Sequence, residues 1–144
     1  GIAARRATEP AGHRSASSMS DVDRVHAANQ LFYIAHEGRD IEAMTAIWEH
    51  SDRVVCVHPG WPILRGWDDV LQSWVSIFRG PGQSQFILTN ESISTKGDIA
   101  WVTLDENLVD GNGATTIAAT NLFVRDHEGE WKLVTHHGSP VINR

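Results

Sequence analysis

The hydrophobic positions divide the chain into a helical first part and a strand-rich second part. From Ser20 to Gly38 apolar residues recur at helical spacing, and Ser20 can cap this helix with Asp23 three residues on. The same spacing recurs over residues 41–48, where Asp40 can cap the helix, and over residues 67–78. The pattern therefore predicts three helices, whose buried stripes are formed by Val25, Ala28, Phe32, Ala35, Ile41, Met44, Ile47, Trp48, Val70, Leu71, Trp74, Ile77 and Phe78.

Strands are predicted where Ile, Val, Thr and aromatic residues dominate. One short strand covers residues 53–58, between the second and third helices, and ends at Pro59. After Gly82 we predict only strands, over residues 85–95, 99–109, 115–125 and 131–137, separated by hairpin sequences rich in Gly, Asp and Asn. Long strands joined by tight turns form an antiparallel, twisted sheet, and the early helices can cover one of its faces. This is an α+β fold.

A loose N-terminal arm is expected before the first helix. Residues 1–19 are small, basic and without apolar periodicity, and Met19 is a candidate start of the native chain. Residues 20–144 have the size of a single domain and are enough to bury a sizeable core. We therefore predict one folded domain preceded by an arm.

Composition argues against several classes of partner. The formal net charge of −6 argues against nucleic acid, because phosphate binding needs clustered Lys and Arg. No apolar run approaches the length of a membrane span, so no membrane partner is expected. Cys56, the only cysteine, lies in an apolar run and is interpreted as a buried core thiol. Because no intrachain disulfide can form, we expect a cytoplasmic protein.

Six short motifs follow one another between about residues 21 and 141. They are Gly38-Arg39-Asp40 with a helix ending in Trp48, Val57-His58-Pro59, Leu64-Arg65-Gly66-Trp67, Asp98-Ile99-Ala100-Trp101-Val102, Thr120-Asn121-Leu122-Phe123 and residues 129–139. In order and spacing they resemble the nuclear-transport-factor-2-like superfamily, within it the SnoaL-like and ketosteroid-isomerase-homologue group. The resemblance implies a cone-shaped α+β barrel, with three N-terminal helices on the concave face of a curved, mostly antiparallel sheet. It also implies a ligand site at the open end and dimers through the outer sheet face.

His58 is the first candidate for catalysis. In the ketosteroid isomerases, the corresponding strand ends in a proton-shuttling acid followed by proline, and this chain has His58-Pro59 there. A histidine titrates near neutral pH and can take that role. The alternative is that its ring only fills the pocket wall.

Glu106 is the second catalytic candidate. Strict alternation puts it on the same face as Val102 and Leu104, which favours the concave side, although a solvated acid or an inter-subunit ion pair is an alternative. The isomerases also use a tyrosine from the first helix. The family-like register places Phe32 rather than Tyr33, the only tyrosine, at that position, which argues against ketosteroid isomerase activity.

Further residues are candidates for ligand binding. Trp61 and Trp67 flank a loop at the predicted rim, where indoles can form a flat wall for an apolar or aromatic ligand, or else pack in the core. Asn121 is expected to converge on the same cavity. Alternation groups His137 with Trp131 and Leu133, which predicts a position in the pocket or the dimer core. No metal site and no cofactor are predicted, because no sequence pattern supplies the ligands.

Two functional classes follow. The first is an isomerase, dehydratase or cyclase type of enzyme that binds a small apolar or aromatic molecule, with His58 moving a proton and Glu106 or Asn121 orienting or stabilising. The second is a non-catalytic association module, similar to the association domain of calcium/calmodulin-dependent kinase II. In either case we expect a homodimer through the sheet, because alternation leaves both faces of residues 115–125 too apolar for water.

Overall fold

The computed structural model of the protein describes residues 19–83, 85–111 and 113–143. Within these residues the elements are α1 (Asp21–Gly38), α2 (Ile41–Ile47), β1 (Val55–Val57), β2 (Leu64–Arg65), α3 (Trp67–Arg79), β3 (Gln85–Lys96), β4 (Ile99–Asp110), β5 (Gly113–Arg125) and β6 (Trp131–Pro140). The arm predicted over residues 1–19 lies, apart from Met19, outside the described residues. None of the helices in the described part is long and apolar enough to cross a bilayer.

The predicted caps hold the first two helices. Ser20 Oγ accepts a hydrogen bond from the Asp23 amide at 3.1 Å, and Asp40 Oδ1 accepts one from the Ala43 amide at 3.1 Å. Each side-chain oxygen satisfies an amide that has no partner within its helix. Both helix starts are therefore defined by local sequence.

Arg39 joins the end of α1 to the end of α3. Its backbone is left-handed, with φ of 53°, and its guanidinium donates hydrogen bonds to the carbonyls of Ile77, Phe78 and Gly80. These carbonyls lie in the last turn of α3 and at its cap, where that of Ile77 also accepts a backbone hydrogen bond, from the Gly80 amide at 3.2 Å. A cation at this end also complements the helix dipole. The contact fixes α1 and α3, which carry much of the site described below, against each other.

The strands form one sheet in the order β2-β1-β6-β5-β4-β3. Neighbouring strands are antiparallel except β1 and β6, which run parallel, so the α+β class with a curved, mostly antiparallel sheet is confirmed. The short strand β2 was not predicted. Its two residues pair with β1, and two residues are too few to leave a periodic signal.

Strand β6 contains a bulge that overturns one prediction. Leu122 and Phe123 are consecutive on β5, but they pair with Thr135 and Leu133, so Val134 is an extra residue. An extra residue reverses the alternation beyond it. The prediction that His137 shares a face with Leu133 was therefore wrong, and of the two positions considered for His137, the pocket is excluded while a dimer contact stays a prediction. His136 lies inside and His137 lies on the outer face.

The core lies between the helices and the concave side of the sheet. Its largest buried side chains come from both layers and include Trp48, Trp74, Phe32, Phe123, Met44 and Leu133. Strand β5 alternates as predicted, with Ile117, Ala119 and Phe123 buried and Ala118 and Thr120 exposed. Helices therefore cover only one face of the long strands.

Gly138 should resist substitution because two neighbours occupy the space where a side chain would begin. A Cβ at this position would lie 3.0 Å from Ile117 Cγ2 and 3.2 Å from Pro59 Cγ. We expect Gly138→Ala to lower the free energy of unfolding by about 1–3 kcal/mol, the usual cost of overpacking. Urea denaturation measures this. Gly111→Ala is the control, since a Cβ there meets nothing within 4 Å, and equal stability of the two variants would contradict the prediction.

Candidate functional site

The helices and the sheet enclose a group of buried polar side chains. They are Asn29 and Tyr33 from α1, His58 after β1, Ser73 from α3, Glu106 from β4, Asn121 from β5 and His136 from β6. Sequence analysis proposed three of them: His58, Glu106 and Asn121. Asn29 was missed, although it lies at helical spacing between Val25 and Tyr33, where a polar residue within an apolar stripe is a signal.

Tyr33 and Glu106 form a buried pair at the centre of this group. Tyr33 Oη donates a hydrogen bond to Glu106 Oε2 at 2.5 Å. Phe32, which the family-like register places at the position of the isomerases' tyrosine, is buried as well, so both rings lie inside. A tyrosine–carboxyl pair, which the sequence alone argued against, is therefore present.

The Glu106 carboxyl titrates near neutral pH. Burial disfavours its charged form and raises its pKa to about 7, against a smaller lowering by the hydrogen bond from Tyr33. Burial and the neighbouring Glu106 charge raise the pKa of Tyr33, so its hydroxyl stays protonated. Glu106 Oε2 is held by Tyr33, whereas Oε1 accepts no hydrogen bond from any described residue. At pH 7 Glu106 can therefore either take or give a proton.

Asn121 connects three of the buried residues. Its Nδ2 donates to Asn29 Oδ1 at 2.8 Å and to Tyr33 Oη at 3.2 Å. Its Oδ1 accepts from His136 Nδ1 at 2.5 Å. Burial lowers the pKa of His136 well below its usual value, so this ring is neutral. Asn121 thus lies inside, as predicted, as the centre of a hydrogen-bond network.

His58 also lies inside, but its environment disfavours the protonated form. Burial, with a smaller contribution from His36, lowers the pKa of His58 to about 4. Its Nε2 lies 2.8 Å from Ser73 Oγ. Since Ser73 gives its only proton to the Val70 carbonyl at 2.6 Å, Nε2 of His58 must be the donor to Ser73. His58 is therefore a neutral ring in a fixed tautomer.

The remaining predicted site residues are divided between two places. Trp61 packs edge-on against His58 with ring centroids 4.9 Å apart, so these two come together as expected. Trp67 instead stacks on His50, with centroids 4.5 Å apart and an interplanar angle of 12°. His137 lies on the outer sheet face, away from His58, because of the bulge at Val134.

A separate cavity lies on the other side of the helices. It has a volume of about 620 Å³ and is bounded by α1, α2 and the turn between β5 and β6. Its walls include Leu31, Ile34, Ala43, Ile47 and Trp131. None of the six predicted site residues lines it.

The described residues do not group three His, Cys, Asp or Glu side chains in an arrangement that could hold a metal ion.

Cys56 is buried beside His58, with Sγ 3.6 Å from Nε2, and burial raises the pKa of its thiol. A thiol that stays protonated is a poor nucleophile. Its role as a core residue agrees with the sequence interpretation.

The comparisons with known proteins define the family. Residues 25–143 match the SnoaL-like domain, and the chain belongs to that family. A "putative dehydratase from the NTF2-like family" of Streptomyces avermitilis is 41% identical, with a TM-score of 0.78 over 85% of this chain and 97% of that chain. A "putative calcium/calmodulin-dependent protein kinase type II association domain" of Thiobacillus denitrificans is 33% identical, with a TM-score of 0.70 over 81% of this chain and 94% of the other.

One curated relative places this kind of domain in a longer protein. The F-box protein SKIP8 of Arabidopsis thaliana is 32% identical over 115 residues, which are 79% of this chain and 48% of that protein. The chain therefore spans about half the length of the curated relative it matches.

Stability should depend on pH through Glu106. Below pH 4.5 the carboxyl is protonated in both folded and unfolded chains. As pH rises to about 7 the unfolded chain loses this proton first, so the folded state loses stability. We expect Glu106→Gln to become progressively more stable than wild type over this window, by up to about 3 kcal/mol.

Urea denaturation at several pH values measures the free energy of unfolding of Glu106→Gln minus that of wild type. The buried histidines contribute with the opposite pH dependence in both proteins, so their contribution cancels in this difference. Glu128→Gln, at an exposed turn position, is the matched control and should show no such gain. A constant difference between Glu106→Gln and wild type from pH 4.5 to 7.5 would contradict the raised pKa.

Proposed function

We propose that the interior of the cone binds a small apolar or aromatic carbonyl compound and that Glu106 moves a proton on it. One observation carries the proposal: a buried carboxyl has one oxygen held by Tyr33 and a pKa of about 7. Burying a carboxyl without a cation beside it is costly, and such groups are concentrated at functional sites. The similarity to a protein named as a dehydratase favours the same class.

The proton transfer is assigned to Oε1 of Glu106. As a carboxylate, Glu106 takes a proton from the carbon next to the carbonyl of the bound molecule, which leaves an enolate. In a β,γ-unsaturated compound this enolate is a dienolate, and the resulting carboxylic acid returns the proton to the γ carbon, which is an isomerisation. In a β-hydroxy compound the acid gives the proton to the β-hydroxyl, which leaves as water while the α,β double bond forms, and this is a dehydration. Both sequences restore the carboxylate, so Glu106 turns over without a further reagent.

His58 is better suited to shaping the site than to accepting the proton. A general base works best when its pKa is near the working pH, and the pKa of His58 is about 4. Its N–H is directed to Ser73, and its ring packs edge-on against Trp61 and Trp74. We therefore transfer the role first predicted for His58 to Glu106 and leave His58 with Trp61 as part of the wall.

Hydrogen–deuterium exchange can separate these two assignments without knowledge of the substrate. Small cyclic ketones and β-hydroxy ketones are incubated with the protein in D₂O, and deuterium uptake beside the carbonyl is followed by NMR. We expect Glu106→Gln to lower the exchange rate by about 10²–10⁴-fold, the usual contribution of a positioned base. His58→Gln should stay within a few-fold of wild type.

The reverse ranking of the two variants would restore His58 as the base. If wild type catalyses no exchange with any compound in the panel, the catalytic proposal fails. Circular dichroism of each variant confirms that a lost rate reflects lost chemistry and not unfolding.

Self-association is the second candidate function, and the outer face of the sheet favours it. Two rows cross this face, Ser94–Trp101–Leu122–Thr135 and Ser92–Thr103–Thr120–His137. Neither row contains an acidic residue, a lysine or an arginine, and Trp101 is 40% exposed. The rows on either side contain Asp105 and the pair Lys96 and Lys132, so the two rows form an uncharged stripe across the face. An uncharged stripe with an exposed indole is typical of an interface. The similarity to a protein named as an association domain points the same way.

Sedimentation at micromolar concentration tests a homodimer through this face. We expect wild type to sediment as a dimer and Trp101→Arg to sediment as a monomer, because an unpaired cation would be buried at the contact. Ile63→Arg is the matched control, since Ile63 is exposed in a loop outside the sheet, and it should remain dimeric. A monomeric wild type, or a dimeric Trp101→Arg, would contradict the proposal that the outer sheet face forms the dimer interface.

A further inference from the structure

A hydrogen-bonded chain runs from the edge of the interior to its centre. It begins at Glu91 on β3, passes through Asn29 on α1 and Asn121 on β5, and ends at His136 on β6. The four residues come from four different elements. Together with the branch from Asn121 to Tyr33, the chain holds α1 across the concave face of the sheet.

A bulge places Glu91 at the start of this chain. Thr89 pairs with Asp105 and Ser92 pairs with Thr103, so Asn90 and Glu91 together oppose a single residue of β4. Asn90 has a positive φ of 58°, a conformation that asparagine tolerates better than most residues. Bulges of this kind redirect a side chain out of the regular alternation. Here Glu91 contacts α1.

The carboxylate of Glu91 can only accept hydrogen bonds. Asn29 must therefore present its Nδ2 group to Glu91 Oε2, which lies 3.4 Å away. This leaves Asn29 Oδ1 directed at Asn121. Glu91 also contacts His26 Nδ1 at 2.8 Å through its other oxygen, so both of its oxygens have partners.

The donor and acceptor roles fixed at Glu91 limit those of the next residues in the chain. Asn121 must donate with Nδ2 to Asn29, which offers an oxygen, and also to Tyr33 Oη, whose own proton goes to Glu106. Asn121 Oδ1 then faces His136. An amide oxygen accepts, so His136 Nδ1 carries the proton. The neutral ring then has a lone pair on Nε2. The described residues supply no hydrogen-bond donor to this nitrogen.

We propose that Glu91 is a positioning residue which, together with Tyr33, fixes which atoms donate and which accept along this chain, and that His136 Nε2 is thereby fixed as a hydrogen-bond acceptor inside the cone. The ligand class then narrows to molecules with a hydroxyl or N–H group beside their apolar part, which donates to His136 Nε2. This statement about the ligand rests on the proposed function. The fixed tautomer of His136 does not, because it is a property of the free protein.

The tautomer of His136 can be measured directly in the ligand-free protein. Long-range proton–nitrogen NMR on ¹⁵N-labelled protein distinguishes a protonated Nδ1 from a protonated Nε2, and His136→Gln assigns the signals. We expect wild type to show the Nδ1–H tautomer. In Glu91→Gln the side-chain amide can donate as well as accept, so part of the His136 population should shift to the Nε2–H tautomer. Asn29→Ala, which cuts the chain one link further in, should cause the same shift.

Two control variants separate direction from general disturbance. Glu91→Asp keeps an acceptor-only group and should restore the wild-type tautomer. His26→Ala removes the other partner of Glu91 and should leave the tautomer of His136 unchanged. The proposal is overturned if wild-type His136 carries its proton on Nε2, or if Glu91→Gln keeps the wild-type tautomer. Failure of deuterium exchange in wild type would instead remove the proposed function and leave this result intact.

Discussion

The arrangement of the interior depends on one constraint, which is that buried polar groups must satisfy one another. A polar group withdrawn from water without a partner costs free energy, and this cost is larger for a carboxyl than for an amide. Glu106 is held by Tyr33, Tyr33 by Asn121, and Asn121 by Asn29 and His136. Each contact limits the donor and acceptor roles of the next. These five residues therefore form a single network, in which a change at one residue alters the proton positions at others, whereas His58 and Ser73 form a separate pair.

Much of the fold could be predicted because its signals are local. The caps at Ser20 and Asp40 and the alternation along β5 depend on a few neighbouring residues, and each appears in the structure as expected. The site was predicted less well because its geometry depends on distant contacts. Nothing local marks Val134 as an extra residue, so the faces predicted for His136 and His137 were the reverse of those observed. The pairing of Tyr33 with Glu106 was not predicted because the two residues are 73 positions apart in the chain.

The two proposed functions use opposite faces of the same strands. On β5, Asn121 faces the interior network while its neighbour Thr120 lies on the outer face, and on β6 the same holds for His136 and His137. A strand that separates two faces in this way can support chemistry on one side and association on the other. The SnoaL-like family is therefore compatible with both activities, and membership does not choose between them.

The bulge at Val134 gives the paired histidines a tolerance that single residues lack. If Val134 took part in regular pairing and the bulge were lost, the alternation beyond it would turn His137 inward and His136 outward. The interior would still receive an imidazole, and so would the outer face. The strand can therefore lose the bulge, and shift its register by one residue beyond it, without changing the type of side chain that these two positions present to either surface. Repeating one residue at adjacent positions thus protects this strand against an error in register.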